Sequence, residues 1–285
     1  MFDKNVLILW TAVGFSSAIL GGFGNLWFAY VIVKGFWKKV NYRILFWIML
    51  LDMSCDFIFI PFEIAQTFTF LGHDFLLGTK MFCQIESLFF NSGLMASIFG
   101  RFVAAFIRGW SVFFPLSFRK IVSMRFINVL IASSIFGLSS FFHLGFFKWA
   151  LDYDMDDVFG DCTSVYAIKW ADLIRSAVFT YFPLCASFII YLSIFMKILL
   201  MKFNGRKDLG KLSRGTGALF CSVIIYLACV LPLWIGYDSE NHYNRMSWSI
   251  WNKFVFRLSY AINPLFYFFL DSNLKRASLQ IFKKK

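Results

Sequence analysis

The feature that most constrains this chain is a series of seven long apolar segments. Each has roughly 20 residues or more, enough to cross the ~30 Å hydrocarbon core of a bilayer as a helix rising about 1.5 Å per residue. Unbroken apolar runs of this length predict helices, because a helix satisfies its own backbone groups where no water is present. The sequence therefore predicts an all-α membrane protein, a seven-transmembrane helix bundle formed by residues 1–285 as one domain. The predicted spans are residues 6–33, 41–70, 78–111, 124–147, 170–202, 211–236 and 247–270.

Composition argues against a soluble globular domain. The chain is 59% hydrophobic and 15% charged, with 40 phenylalanines and a mean hydropathy of +0.68. That apolar share exceeds the roughly 45–50% of an average soluble domain. The excess is explained if lipid covers the outer faces of the helices.

The distribution of lysine and arginine predicts the orientation in the membrane. Of the 28 basic residues, nineteen lie around the connections that follow the first, third and fifth spans or in the C-terminal tail. Six lie on the opposite side of the membrane, and three lie within spans. Because positively charged loops tend to stay in the cytoplasm, we expect an extracellular N-terminus and a cytoplasmic C-terminus. The net charge of +12 then indicates contact with anionic membrane lipids rather than with nucleic acid.

The last span carries Asn263-Pro264-x-x-Tyr267 and passes directly into a basic segment over residues 272–282. An interior proline breaks a helix in water, but neighbouring helices in a bilayer can satisfy the backbone groups that it frees. This order resembles the seventh helix of rhodopsin-like (class A) G-protein-coupled receptors. The resemblance implies a short amphipathic cytoplasmic eighth helix over residues 272–282.

The third span resembles the same receptor family in three features and the spacings between them. Cys83 lies at its start, Arg108 follows 25 residues later, and Pro115-Leu116 comes seven residues after that. A helix places the cysteine and the arginine about 37 Å apart, on opposite sides of a bilayer. In the receptor family this cysteine anchors a disulfide and this arginine faces the G protein. The fifth, sixth and seventh spans contain further residues that correspond to the family. The coupling and activation residues that the resemblance implies are Arg108, Tyr191, Tyr226, Pro232, Asn263, Pro264 and Tyr267.

The third span departs from the family where its arginine is normally restrained. The family has an acid directly before the arginine, whereas this chain has Ile107. Where the family often has a second acid in the sixth helix, this chain has Leu212, and the nearest acid is Asp208 in the loop. We therefore expect a loosely held inactive state, with Tyr191 and Tyr267 available to receive Arg108 in the active arrangement.

A set of polar residues falls at mid-membrane depth, where ionisable groups are costly and usually functional. The resemblance implies that Asp52, Ser97 and Asn263 surround a sodium-and-water site. Arg101 lies one helical turn beyond Ser97, and its pairing with Asp52 would neutralise a buried charge and put the sodium site in doubt. The predicted network consists of Asn25, Asp52, Ser97, Arg101 and Asn263.

The extracellular side supplies a possible disulfide and candidate ligand residues. The resemblance implies a bridge between Cys83 and Cys162, the latter at the end of an acidic loop that we expect to be a solvated extracellular face. Phe90 stands where amine receptors carry an acid, so a monoamine ligand is not expected. The charged residues form either an internal ion-pair cluster or a site for an anionic or carboxylate-bearing ligand. The candidate ligand residues are Glu63, Glu86, Phe90, Arg175, Lys253 and Arg257.

These features predict a plasma-membrane receptor that couples an extracellular small molecule or short peptide to a heterotrimeric G protein. No catalytic motif, cofactor fingerprint or metal-ligand cluster occurs in the sequence, so we expect neither an enzyme nor a metal or cofactor. A multi-span transporter is the alternative, and it would predict internal repeats and interrupted helices. A retinal pigment would need a lysine in the last span, where this chain has Arg257.

The proposed bridge predicts that peptides containing Cys83 and Cys162 stay joined in non-reducing digests. The bridge would tie the loop to the third helix and so hold the mouth of the extracellular cavity. It would also stabilise the fold, because a disulfide constrains the unfolded chain. Mass spectrometry of the digest is the measurement. Finding both thiols free would contradict the pairing.

Overall fold

The computed structural model describes residues 4–70, 80–121, 123–133, 151–156, 161–166, 174–204, 217, 220–221, 223–225, 227–228 and 261–283. Within these ranges, some side chains are not described, namely those of residues 4–11, 41, 58–70, 80–92, 94, 119, 124, 127, 131, 151–156, 161–166, 175–176, 179, 202 and 282–283.

The described chain is helical apart from one hairpin and short connections. Its first five helices are α1 (Lys4–Gly35), α2 (Val40–Phe70), α3 (Lys80–Phe113), α4 (Pro115–Ile121) and α5 (Met124–Ala132). After the hairpin, a π-helical turn (Arg175–Tyr181) continues into α6 (Phe182–Phe203), and α7 (Ala261–Leu270) and α8 (Ser272–Lys283) follow. The helices α1 to α3 lie over the first three predicted spans, and α8 lies over the predicted eighth helix. Residues 134–147 of the fourth predicted span, most of the sixth and residues 247–260 of the seventh lie outside the described residues.

Three of the described helices are long and apolar enough to cross a membrane, over Ala12–Gly35, Met95–Phe113 and Phe182–Met201. The outward faces of α1, α6 and α7 expose large apolar side chains, such as Leu20, Ile189 and Phe269. Such faces suit a lipid environment, where they lose nothing by exposure. The structure agrees with the predicted all-α membrane protein, while the seven-helix count stays a prediction.

The apolar core lies between the inward faces of α1, α2, α3 and α6. Ile32, Ile44, Met49 and Ile194 are fully buried there, and Leu274 brings α8 into the same cluster. The helix α2 packs along α1, while α3 packs against both α2 and α6. This arrangement makes α3 the central helix of the described bundle.

Helix α8 is fixed to the rest of the protein by polar contacts as well as by packing. Asp271 caps it, since its Oδ1 accepts hydrogen bonds from the backbone N–H groups of Asn273 at 3.0 Å and Leu274 at 3.2 Å. The indole nitrogen of Trp27 on α1 donates to the hydroxyl of Ser278 at 2.7 Å. Because these bonds reach α1 as well as its own first turn, α8 has a defined position at the end of the bundle.

Two glycines of α1 allow a close approach of helices α2 and α7. A Cβ atom on Gly21 would lie 2.6 Å from Oδ2 of Asp56 and 3.0 Å from the Cα atom of Ala261. A Cβ atom on Gly24 would lie 2.9 Å from the Cβ atom of Pro264. Small residues at helix contacts are a common means of close packing in membranes. Here they bring α1 against the part of α7 that carries the proline.

The acidic segment that the sequence analysis treats as a solvated loop is an antiparallel hairpin. Its strands are β1 (Leu151–Asp156) and β2 (Asp161–Tyr166), with Leu151 opposite Tyr166 and Asp156 opposite Asp161. The hairpin lies against α3. The strict alternation in Leu-Asp-Tyr-Asp-Met-Asp was the signal for a strand, because successive side chains of a strand point to opposite faces.

Substituting Gly21 with alanine should destabilise the protein by roughly 1–3 kcal/mol, because the added methyl overlaps a carboxyl oxygen and the backbone of α7. The measurement is thermal unfolding of the purified protein in detergent. Gly35→Ala is the matched control, since a Cβ atom at Gly35 has nothing within 4 Å. Equal melting temperatures for the two variants would contradict the close approach.

Candidate functional site

Five buried polar side chains from four helices lie near the middle of the bundle. Each is at most 1% exposed. Because these side chains are buried in largely apolar helices, every polar atom here depends on its neighbours rather than on bulk water. They are Asn25 on α1, Asp52 on α2, Ser97 and Arg101 on α3, and Asn263 on α7.

Asp52 and Arg101 form a buried ion pair between α2 and α3. Nη2 of Arg101 lies 2.9 Å from Oδ2 and 3.1 Å from Oδ1 of Asp52. The second guanidinium nitrogen, Nη1, donates to the backbone carbonyl of Ser97 at 3.1 Å. One arginine therefore contacts both the carboxylate of α2 and the backbone of its own helix.

The carboxylate of Asp52 also receives hydrogen bonds from α3 and α7. The hydroxyl of Ser97 donates to Oδ1 at 3.1 Å, and the amide of Asn263 donates to Oδ2 at 2.9 Å. Both oxygens are thus engaged by more than one donor. Because these donors come from α3 and α7 while Asp52 belongs to α2, the carboxylate joins three helices at a single point.

This geometry bears on the sodium site that the family resemblance implies. A sodium ion needs several oxygen ligands and an anionic environment, and Asp52 would be its main ligand. The guanidinium of Arg101 already contacts both of its oxygens and would repel a second cation nearby. The residues present therefore do not fit a resident sodium ion at Asp52.

A second buried carboxyl group, Asp56, lies one turn further along α2. It is 1% exposed, and its Oδ2 atom has no hydrogen-bond partner among the described residues. The Asn25 side chain lies beside it, although neither polar atom of that amide forms a hydrogen bond within the described part of the chain. Asp56 is not among the residues predicted from the sequence, although its spacing of four residues from Asp52 places both carboxyl groups on the same face of an apolar helix.

Arg108 lies two turns beyond Arg101 on α3 and is also buried, at 7% exposure. Tyr191 of α6 and Tyr267 of α7 lie close enough to interact electrostatically with its guanidinium. Both tyrosines are fully buried. The structure therefore brings together three of the residues that the resemblance assigns to coupling and activation, each from a different helix.

Two further residues near Arg108 were not found from the sequence. Tyr42 at the start of α2 and Asp271 before α8 both interact electrostatically with the arginine. The hydroxyl of Tyr42 donates to Oδ1 of Asp271 at 3.2 Å. An aspartate directly before a helix is a typical N-cap, so the local role of Asp271 was predictable, but its proximity to Arg108 depends on the tertiary fold.

Other predicted site residues lie where the structure does not describe their side chains. This applies to the two cysteines of the proposed disulfide, so the pairing stays a prediction; the backbones of α3 and β2 carry them. In the part of the chain that is described, no group of three histidine, cysteine or acidic side chains is arranged to hold a metal. The predicted residues whose side chains lie outside the description are Glu63, Cys83, Glu86, Phe90, Cys162, Arg175, Tyr226, Pro232, Lys253 and Arg257.

Comparison with known proteins gives a short match to a receptor-like protein. The chain is 40% identical over 99 residues to a protein named as a G-protein coupled receptor homolog, from fowlpox virus (strain NVSL). The match covers 33% of this chain and 28% of the viral protein. No protein family model matches the chain. The similarity supports a receptor-like membrane protein, and the finer features of the rhodopsin-like class remain predictions.

The two buried carboxyl groups of α2 should respond in opposite ways to substitution by asparagine. Asp52→Asn leaves the charge of Arg101 buried without its ion-pair partner, which costs about 3–5 kcal/mol. Asp56→Asn removes an acid that has no ion-pair partner among the described residues, so stability should stay the same or rise. Thermal unfolding in detergent measures both changes.

Joint replacement of Asp52 by leucine and Arg101 by methionine should recover part of the stability that either single change removes. Purely additive losses in that double-mutant cycle would contradict the ion pair.

Proposed function

We propose that this chain is a rhodopsin-like G-protein-coupled receptor of the plasma membrane, with its N-terminus outside the cell. In this proposal it transmits the binding of an extracellular small molecule or short peptide to a heterotrimeric G protein. The observation that carries the proposal is the position of Arg108, buried beside Tyr191 and Tyr267 where α3, α6 and α7 meet. The short match to a viral receptor homolog supports the same class.

The proposed mechanism has two layers along α3. In the upper layer, the ion pair of Asp52 and Arg101 joins α2, α3 and α7, so a movement of one helix is felt by the others. In the lower layer, Arg108 exchanges between its internal partners and the docked G protein. A ligand that favours one arrangement of these helices shifts the population of the state in which Arg108 is available, by as much as its differential affinity for the two states.

The residue before Arg108 is apolar, and this bears on how firmly the inactive state is held. Ile107 is buried at 1% exposure in the apolar core and supplies no charge to hold the arginine. A charge pair lost at a partly buried site can shift an inactive-to-active balance by about 1–2 kcal/mol, or roughly 5- to 30-fold in population. We therefore expect considerable signalling without ligand.

The direct experiment expresses the full chain in cells and measures second-messenger output without ligand, at matched surface expression. Output above that of untransfected cells, and lost in Arg108→Ala, supports coupling to a G protein. A screen with pooled metabolites and peptides then addresses the ligand. Output equal to background in the native chain, together with uptake of a solute, would favour the transporter alternative.

Restoring the acid before the arginine should lower ligand-free signalling. Ile107→Asp places a carboxylate next to Arg108 and favours the restrained state, so we expect output to fall roughly 5-fold or more. The control is Ile107→Asn, which has a similar size and polarity but no charge. The difference between the two variants isolates the charge, and equal outputs would contradict a missing restraint at this position.

A further inference from the structure

Arg43, near the start of α2, is held in one orientation by the connection from α1. Its Nε donates to the backbone carbonyl of Trp37 at 3.2 Å, and its guanidinium carbon lies 4.4 Å from the centroid of the same indole. That indole packs edge-on against Phe46, with ring centroids 5.1 Å apart. A guanidinium placed over an aromatic face is attracted by the ring. Among the described residues, the two Nη groups of Arg43 have no hydrogen-bond or ion-pair partner, so they stay available to an anion.

A second arginine lies near the start of α5, which packs beside α2. The indole nitrogen of Trp47, one turn after Arg43, lies 3.5 Å from Oδ1 of Asn128 on α5. Arg125 is exposed and lies three residues before Asn128. In the predicted topology the second and fourth spans both run outward from the cytoplasm, so the two arginines lie about 6 and 4.5 Å to the cytoplasmic side of that contact. We call these four residues the α2–α5 junction.

The surface at this end of the protein carries positive charge that no exposed acid balances among the described side chains. The acids whose side chains the structure describes are Asp52, Asp56 and Asp271, and none is more than 2% exposed. An anion that approaches this surface therefore meets attraction without a competing carboxylate. Exposed lysines near the same ends of the helices are Lys34, Lys38, Lys39 and Lys120.

Aromatic and apolar side chains beside the arginines favour a lipid over a soluble anion. Trp37 and Phe46 pack beside Arg43. On the first two turns of α5, Phe126 is 40% exposed and Val129 is 66% exposed. Aromatic rings are enriched where a membrane meets water, and exposed apolar side chains lose nothing beside acyl chains. Basic clusters directly cytoplasmic of a span attract anionic lipids.

We propose that the α2–α5 junction binds the headgroup phosphate of an anionic phospholipid in the cytoplasmic leaflet, with Arg43 and Arg125 as the phosphate ligands. The planar guanidinium fork matches two phosphate oxygens, which a lysine ammonium does not. In this proposal Trp37 is a positioning residue, because it holds one side of Arg43 while the Nη groups bind the phosphate. The inference goes beyond the proposed function, since lipid binding requires no G protein.

The experiment titrates the purified full chain in detergent with phosphatidylserine or with phosphatidylcholine and counts bound lipid by native mass spectrometry. We expect tighter binding of phosphatidylserine, and a roughly 5-fold loss of its affinity for each of Arg43→Gln and Arg125→Gln. The matched control, Lys34→Gln, removes one positive charge from an exposed side chain of α1 outside the junction. An equal loss in the control, or no preference between the two lipids, would overturn the site.

Two further variants distinguish a built site from general attraction to charge. Arg43→Lys keeps the charge but lacks the fork, and Trp37→Leu removes the ring that positions the guanidinium while leaving every charge in place. Both should weaken phosphatidylserine binding by roughly 3-fold or more. Melting temperatures in lipid-free detergent check that each variant is folded, and Arg43→Lys alone decides the matter if Trp37→Leu unfolds. Native affinity in the folded variants would show undirected attraction and reject the assignment.

A soluble headgroup tests the source of the phosphate. Glycerophosphoserine carries the same headgroup without acyl chains, so it should displace phosphatidylserine only at a concentration roughly 100-fold higher or more. Displacement at equal concentration would overturn the lipid assignment in favour of a soluble anion.

Discussion

The described bundle depends on the ion pair between Asp52 and Arg101. Placing an arginine in an apolar span is costly, and the cost is offset only where the guanidinium finds an anion and further acceptors. Asp52 supplies the anion, the carbonyl of Ser97 accepts from the other guanidinium nitrogen, and Asn263 completes the carboxylate's donors. Because one guanidinium nitrogen contacts both carboxylate oxygens and the other bonds the Ser97 carbonyl, the contacts constrain orientation as well as distance. The register of α3 against α2 and α7 is therefore fixed at one depth in the bundle.

Arg108, two turns beyond Arg101 on α3, has a different kind of environment. Among the described residues, three tyrosines and Asp271 lie within electrostatic range of Arg108, and the tyrosines offer dipoles rather than full charges. The α8 helix is in turn bonded to α1 through Trp27 and Ser278. The first, second and eighth helices are thus joined to one another by side-chain hydrogen bonds and packing. The helix α6 contributes Tyr191 from the other side of α3, within the same apolar core.

The sequence predicts long apolar helices and a polar network within them for clear physical reasons. Apolar length predicts a span without any knowledge of its neighbours, and a charged residue within a span requires a partner of opposite sign, which leaves few choices for Arg101. The hairpin at 151–166 was missed because its alternation was interpreted only as acidity. Asp271 was missed as a neighbour of Arg108 because 163 residues separate them in the chain, and nothing local records that contact. Local sequence patterns predict helices, strands and the energetic cost of burying a charge. Which distant residues come into contact depends on tertiary packing.

The ion pair at Asp52 has one consequence for how the protein relates to the medium around it. A cation that is part of a side chain cannot be diluted, exchanged or competed away, because a covalent bond fixes its local concentration. A site of this kind gives the same electrostatic balance in dilute buffer, in cytoplasm-like potassium or in sodium-rich extracellular fluid. The neutralisation of this carboxylate is thus set when the chain is synthesised, and the ionic composition of the surroundings has no part in it.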